Sequence, residues 1–373
     1  MKQCYLNPLN YEEDIELLLQ QLEVSHILLV CGASIFQLSV YSFVKKLQQN
    51  TGIAITHYDN FSPNPKYEEV LQGVKAFKEN KCDFILAVGG GSAIDVAKCI
   101  KLFAGLKRNE DYLCQKIVEN EIPLFAVPTT AGSGSEATQF AVIYVDGNKK
   151  SIEHKSALPK YVLLYPHNLM TLPEYQKKVT VCDALAHAIE SYWSLHASEE
   201  SRNLSKTAIC LILNNIEGYL KNNINSCSDI LLAANFAGQA INITKTTAAH
   251  AMSYKLTTFF GISHGHAVML CLPEVWGHMQ EKLDTYTDEH RGKYLQTTLD
   301  SLAHCLKQET SKNAIWFLKQ LRSKLGLELT EKVNEELITL LVDSVNEERL
   351  DNFPIVLVKE DLRVIYQKVL WGN

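Results

Sequence analysis

The chain has 373 residues, 46% apolar and 21% charged, with 42 acidic against 36 basic side chains and a formal charge of −6. That length and composition predict about two domains with a sizeable core and exclude a disordered protein. A weakly acidic chain without any Lys/Arg block is not expected to bind nucleic acid. No apolar run approaches the roughly 18–20 residues that span a bilayer, so no membrane partner is expected. The opening stretch MKQCYLNPLNYEEDIE lacks an apolar signal core, and the ten cysteines form no CxxC pair. Reduced thiols in a cytoplasmic protein are the expectation.

In chain order, His26–Val30 reads as a buried strand, followed by a helix over 35–48 with Ser34 as N-cap. Gly52–Tyr58 reads as a strand, Tyr67–Glu79 as a helix, Phe84–Val88 as a strand and Ala93–Phe103 as a helix. Leu124–Val127, Phe140–Val145 and Tyr161–Tyr165 are further strand candidates. Strand–helix alternation at this spacing predicts a parallel sheet covered on both faces over residues 1–168. From about Thr171 the pattern turns helical, with 3.6-period apolar segments at 204–220, 294–306 and 313–325. An all-helical second domain over 169–373 is expected, with a hinge at Pro166–Pro173 and a ligand cleft between the two domains.

Three constellations carry chemistry. Gly89-Gly90-Gly91-Ser92 directly follows a strand and opens a helix through Asp95 to Lys98. Glycines there let the backbone approach a pyrophosphate, and the free N–H groups of the helix start favour an anion. It is not GxGxxG, and a plain tight turn is the alternative. Pro128-Thr129-Thr130-Ala-Gly-Ser133-Gly follows the next strand and offers a second cradle; ligands of open α/β sheets bind at carboxyl ends of strands. In the helical half, Asp183 and His187 stand at i,i+4 with Glu190 three residues on, and His250, His264 and His266 come later. One carboxylate with three imidazoles is a ligand set for Fe2+ or Zn2+, although each histidine taken singly reads as a core residue.

GGGSAIDVAK, PTTAGSGSEAT, DALAHAIE and the later His250…His264-Gly265 pair stand in the order seen in iron-containing (group III) alcohol dehydrogenases, which the chain resembles over nearly its whole length. The resemblance implies a Rossmann-like α/β nucleotide domain followed by an all-α metal domain, the two-domain architecture shared with dehydroquinate synthase. It also implies a homodimer. Carried over by position, the metal ligands are Asp183, His187, His250 and His264; the family spacing of the last two selects His264 over His266. The cofactor-binding candidates are Gly32, Ser34, Gly89, Gly90, Gly91, Ser92, Asp95, Thr129, Thr130, Ser133 and Lys155.

Three departures from the family pattern bear on chemistry. Many NAD-using members carry an acidic residue where this chain has Gly32; without it, NADPH is admitted beside NADH, and Ser34 offers a donor to a 2′-phosphate. Four residues after His250, where many members have histidine, stands Tyr254, a candidate for a proton relay with His266. The usual glycine-rich stretch before the third ligand reads Lys245-Thr246-Thr247. With Lys255, this segment resembles the phosphonoacetaldehyde reductase-like subgroup, which implies an anionic aldehyde reduced to 2-hydroxyethylphosphonate. Tyr254, His266 and Lys245 are the expected catalytic residues. The alternatives are an iron-type dehydrogenase of simple alcohols and aldehydes, a dehydroquinate synthase-like lyase, and a non-catalytic binding protein.

Overall fold

The computed structural model describes residues 3–107, 111–283, 289–329 and 333–372. The chain forms two compact units. The first is Met1–Pro173 with Lys221–Asn235, and the second is Glu174–Leu220 with Phe236–Asn373. Relative to the expected division at 168/169, the Pro166–Pro173 stretch stays with the first unit, as does the 221–235 segment. Asn235 shows why: its amide donates to the buried Glu136 carboxylate at 3.0 Å.

The first unit contains β1 (Cys4–Tyr5), α1 (Tyr11–Gln21), β2 (His26–Cys31), α2 (Ser39–Thr51), β3 (Ala54–Tyr58), α3 (Tyr67–Glu79), β4 (Phe84–Gly89), α4 (Gly91–Ala104), β5 (Leu124–Pro128), β6 (Phe140–Val145), β7 (Asn148–Glu153) and β8 (Tyr161–Val162). Six strands form a sheet in the order β1-β8-β5-β4-β2-β3, every pair parallel. Alternation along β2 decides the layers: Leu28 and Val30 pack with Val70, Val74 and Ile100 from α3 and α4. Ile27, Leu29 and Cys31 pack with Ile15, Leu19, Phe43 and Leu47 from α1 and α2. Burial on both faces accounts for the continuous apolar strands.

Three expectations shift in detail. The helix expected over 35–48 splits into a 3₁₀ turn, Ala33–Gln37, and α2. Gly52, at φ +72°, closes α2 three residues later than expected and delays β3 to Ala54. Phe140–Val145 is a strand, but it pairs antiparallel with β7 in a separate hairpin. The alternating residues of β7, with Lys149, Lys150 and Ser151, gave no apolar run to read.

The second unit is built from α5 (Glu174–Trp193), α6 (Glu199–Leu220), the end of α7 (Ile224–Thr244), α8 (Ala248–Phe260), α9 (His264–Leu283), α10 (Glu289–Cys305), α11 (Ser311–Lys324), α12 (Glu335–Asp343) and α13 (Lys359–Trp371). Pro173 precedes α5 and Glu174 opens it, a favourable helix start. From Val181 to Trp193 every residue of α5 is buried, so this helix is the axis of the unit. Among the described residues no helix is long and apolar enough to cross a membrane. The ten cysteines are all free.

Candidate functional site

In the first unit, three loops follow neighbouring strands. Gly32 follows β2, Gly89–Gly91 ends β4 and Thr129 follows β5. The chain runs from β2 outward to β3 and then returns past β2 to β4, so β2 and β4 flank the topological switch point. Such a crevice is where open α/β sheets bind nucleotides. A Cβ on Gly91 would lie 2.7 Å from Ser133 Oγ, and one on Gly90 would lie 3.2 Å from Thr130 Oγ1. The two glycine-bearing loops therefore lie side by side, and Gly90 and Gly91 stand too close to Thr130 and Ser133 to carry side chains without displacing them. The residues present fit a dinucleotide phosphate.

Other candidates there have different duties. The Ser92 hydroxyl donates to Pro63 O. Asp95 accepts from the Ser135 hydroxyl and, at 2.9 Å, from Val142 N–H. Buried Lys98 donates to Ser135 Oγ, Thr138 Oγ1 and Phe140 O at 3.0, 2.8 and 2.8 Å. Asp95 and Lys98 thus brace the second loop against α4, while the Ser92 hydroxyl proton is held by Pro63 O. Thr129 is buried, its N–H donating to Gly89 O at 3.0 Å. Lys155 forms an exposed ion pair with Glu119 at 2.6 Å, not a contact with the glycine loops. Gly32 has open space where a Cβ would stand; the Ser34 side chain lies outside the described residues.

In the second unit, Asp183 and His187 project from the same face of α5, one turn apart. His250 lies in the first turn of α8 and His264 opens α9. The Nε2 atoms of His187, His250 and His264 lie 3.9, 3.5 and 3.8 Å from Asp183 Oδ1. Ligands at roughly 2.0–2.2 Å from a tetrahedral ion are about 3.3–3.6 Å apart; among the described residues Asp183, His187 and His250 group closely enough to hold a metal ion, and His264 stands beside them. Asp183 Oδ1 and His250 Nε2 are buried and have no hydrogen-bond partner among the described residues, as expected of atoms aimed at an ion. His264 is the most open of the four, with its side chain 36% exposed, so the centre is approached from its side.

Glu190, two turns along α5 from Asp183, organises the centre from behind. Its Oε2 pairs with His250 Nδ1. Its Oε1 accepts from Thr247 Oγ1 at 2.7 Å and from the N–H groups of Ala249 and His250 at 2.8 and 3.4 Å. One buried carboxylate therefore caps α8, fixes the His250 tautomer and leaves Nε2 for the metal. Trp193 Nε1 donates to Thr247 Oγ1 at 3.0 Å, so the Thr247 hydroxyl is engaged within the protein and does not serve a substrate.

Charge follows from this arrangement. Burial opposes ionisation of Asp183, but the facing His187, His250 and His264 hold it well below the usual carboxylate range. Burial likewise opposes charging of His250, yet the Glu190 and Asp183 carboxylates outweigh it and raise its pKa to about 10. Metal-free His250 is therefore protonated at neutral pH and must lose that proton to ligate. Metal uptake is expected to release protons and to strengthen as pH rises toward about 10. Calorimetric titration of Zn2+ into apo-protein in phosphate and Tris at pH 7.5 checks this; identical apparent enthalpies after correction for buffer–metal binding would contradict it. Glu190→Gln is expected to weaken metal affinity by about 10–100-fold and to reduce the proton release.

The other catalytic candidates separate. The Tyr254 ring lies 5.7 Å from the His264 ring at 19°, and its hydroxyl accepts from Arg349 Nη1 at 3.1 Å. His266, two residues from His264 and on another side of α9, is buried with Nδ1 3.1 Å from Tyr175 Oη; it is not brought into the metal centre. Lys245 is exposed and adopts φ +61°, a left-handed conformation that glycine takes without strain. Lys255 is also exposed. Arg349 and Gly265 were not assigned roles from the sequence. A Cβ on Gly265 would lie 1.9 Å from Val179 O and 2.9 Å from Asp183 Cβ, so glycine is what allows α9 to deliver His264 beside Asp183.

An α/β unit with glycine loops at its switch point, followed by a helical unit with an Asp/His metal centre, defines a two-part class of nucleotide- and metal-binding proteins. The sequence model "Iron-containing alcohol dehydrogenase" matches residues 10–166, and "Fe-containing alcohol dehydrogenase family, C-terminal" matches 178–370. Alcohol dehydrogenase 4 of Schizosaccharomyces pombe is 33% identical over 264 residues, 68% of this chain and 61% of that protein. An iron-containing alcohol dehydrogenase from Thermotoga maritima has the same fold, with TM-score 0.84, 26% identity and coverage of 100% and 98% of the two chains. A sulfoacetaldehyde reductase from Bifidobacterium kashiwanohense, solved with NAD+, shares the fold at TM-score 0.84 and 23% identity over 100% of both chains. The chain belongs to the iron-containing alcohol dehydrogenase family.

Proposed function

We propose that this protein is a metal-dependent NAD(P)H oxidoreductase that reduces an anionic aldehyde to a primary alcohol, with phosphonoacetaldehyde as substrate. The observation that carries the reaction class is the convergence of three imidazole Nε2 atoms on Asp183 Oδ1. A divalent cation held by Asp183, His187, His250 and His264 supplies Lewis-acid polarisation of the carbonyl oxygen. Gly90 and Gly91 would hold the phosphates of a reduced dinucleotide, which would supply the hydride when bound. Glu190 keeps His250 in its ligating tautomer, and Tyr254, whose ring stacks on that of His264, is the residue we assign to deliver a proton to the alkoxide oxygen. β2 ends at Cys31-Gly32 without a carboxylate of its own, which supports NADPH as a cofactor. The substrate reading rests on the Lys245–Lys255 segment and its likeness to the phosphonoacetaldehyde reductase-like subgroup. Assembly as a homodimer is part of the same reading.

Reduced-cofactor oxidation at 340 nm with phosphonoacetaldehyde and with butanal tests it. The expected result is a kcat/KM at least about 100-fold higher for the phosphonate. Lys245→Ala is expected to raise KM for the anionic aldehyde and leave that for butanal unchanged. Equal efficiency with the two aldehydes would point instead to a dehydrogenase of simple alcohols.

A further inference from the structure

Arg349 sits in the 3₁₀ turn Glu347–Leu350, ahead of α13. Its guanidinium is half-buried and lies 5.2 Å from the Tyr254 ring centroid, with Nη1 donating to the Tyr254 hydroxyl. Tyr254 in turn stacks on His264, the most open of the four metal-ligand candidates. Arg349 therefore stands one aromatic ring away from the metal centre, on the side from which it is approached.

Among the described residues no carboxylate lies within ion-pair distance of this guanidinium, although Glu347, Glu348 and Asp351 are its neighbours in sequence. A partly buried arginine normally has a counter-ion, because desolvating the charge is otherwise unfavourable. Tyr254 engages one of its five N–H donors, leaving the rest of the fork for a ligand. The turn is held firmly: Asn346 Oδ1 accepts from Glu348 N at 3.0 Å, and Asn352 Nδ2 donates to Thr244 O and Thr246 O at 2.9 and 3.0 Å. The Asn352 bonds tie the segment after Arg349 to the end of α7 and the short link before α8, the helix that carries His250 and Tyr254.

We propose that Arg349 is the specificity-determining residue of this centre, receiving a tetrahedral oxyanion on the carbon next to the aldehyde, with Tyr254 orienting the guanidinium. A planar fork binds two oxygens of a phosphonate or sulfonate at once, which a lysine ammonium does not. The inference rests on the reductase reading above and names the residue that gives it its substrate class.

The test uses full-length, metal-loaded wild type, Arg349→Lys and Arg349→Met. Metal content and Tm are measured first, and Arg349→Lys retains a cation if the methionine variant folds poorly. Calorimetric binding of ethylphosphonate, which has no carbonyl to reduce, reads the anion site without turnover. Arg349→Met is expected to weaken ethylphosphonate at least about tenfold and to lower kcat/KM for phosphonoacetaldehyde and sulfoacetaldehyde at least about tenfold more than for butanal. Arg349→Lys is expected to restore part of the ethylphosphonate affinity. Unchanged ethylphosphonate affinity, or an equal loss for butanal and the anionic aldehydes, overturns the proposal and assigns Arg349 a structural role. If wild type prefers neither aldehyde, the substrate reading fails; ethylphosphonate binding that depends on Arg349 still upholds the anion site, and its absence overturns both.

Discussion

Asp183→Ala is expected to leave less than about a tenth of a metal ion per chain and to lower kcat/KM by at least about 10³-fold. Asp183 is the sole anion of the four-residue set, and the imidazoles converge on its Oδ1. Without it, three imidazoles crowd together with no central acceptor. Metal content by plasma emission spectrometry, with cofactor oxidation at 340 nm, measures both losses, and a native circular dichroism spectrum separates them from unfolding. His264→Ala is expected to lose metal as well. Full occupancy in either variant would refute the ligand assignment.

Gly265→Ala is expected to lower stability by about 3 kcal/mol, at the upper end of overpacking penalties, with a Tm loss of roughly 6–12 °C. The methyl group would sit 1.9 Å from the Val179 carbonyl oxygen, and backbone of a buried helix does not yield as a flexible side chain does. Relief requires the start of α9 to move away from α5, and His264 moves with it. Metal affinity is therefore expected to fall together with stability. Gly277, farther along α9, is the control: a Cβ there meets nothing within 4 Å. Gly277→Ala is expected to match or slightly exceed wild type in Tm, since alanine favours a helix interior. Equal behaviour of the two variants would show that close approach at Gly265 does not matter.

Much of this was legible in the sequence because period and spacing report local geometry. The helix Tyr67–Glu79 has its expected bounds, and the Asp183/His187 pair lies on one face as its i,i+4 spacing requires. Contacts between distant segments were not legible. Asp95 and Ser92 are cofactor-binding candidates because they follow the glycines; the bonds of their side chains to Ser135, Val142 and Pro63 come from segments distant in sequence. The Thr247 hydroxyl, within the Lys245-Thr246-Thr247 segment, bonds Glu190 and Trp193, more than 50 residues earlier in the chain. His266 shares a segment with His264, yet a two-residue step on a helix points it toward Tyr175. Arg349 carried no local signal, since its meaning comes from Tyr254, which lies 95 residues earlier. Glu190 did carry one: a buried carboxylate in helical register with Asp183 and His187 is unusual without a partner to hold.

Aldehyde reduction by this protein is expected to depend on a divalent ion held by Asp183, His187, His250 and His264. The direct measurement is cofactor oxidation with phosphonoacetaldehyde before chelator dialysis, after it, and after anaerobic return of Fe2+ or Zn2+. Activity is expected to disappear with the metal and to return in proportion to metal rebound, up to about one ion per chain. Undiminished turnover by protein shown to be metal-free would contradict it.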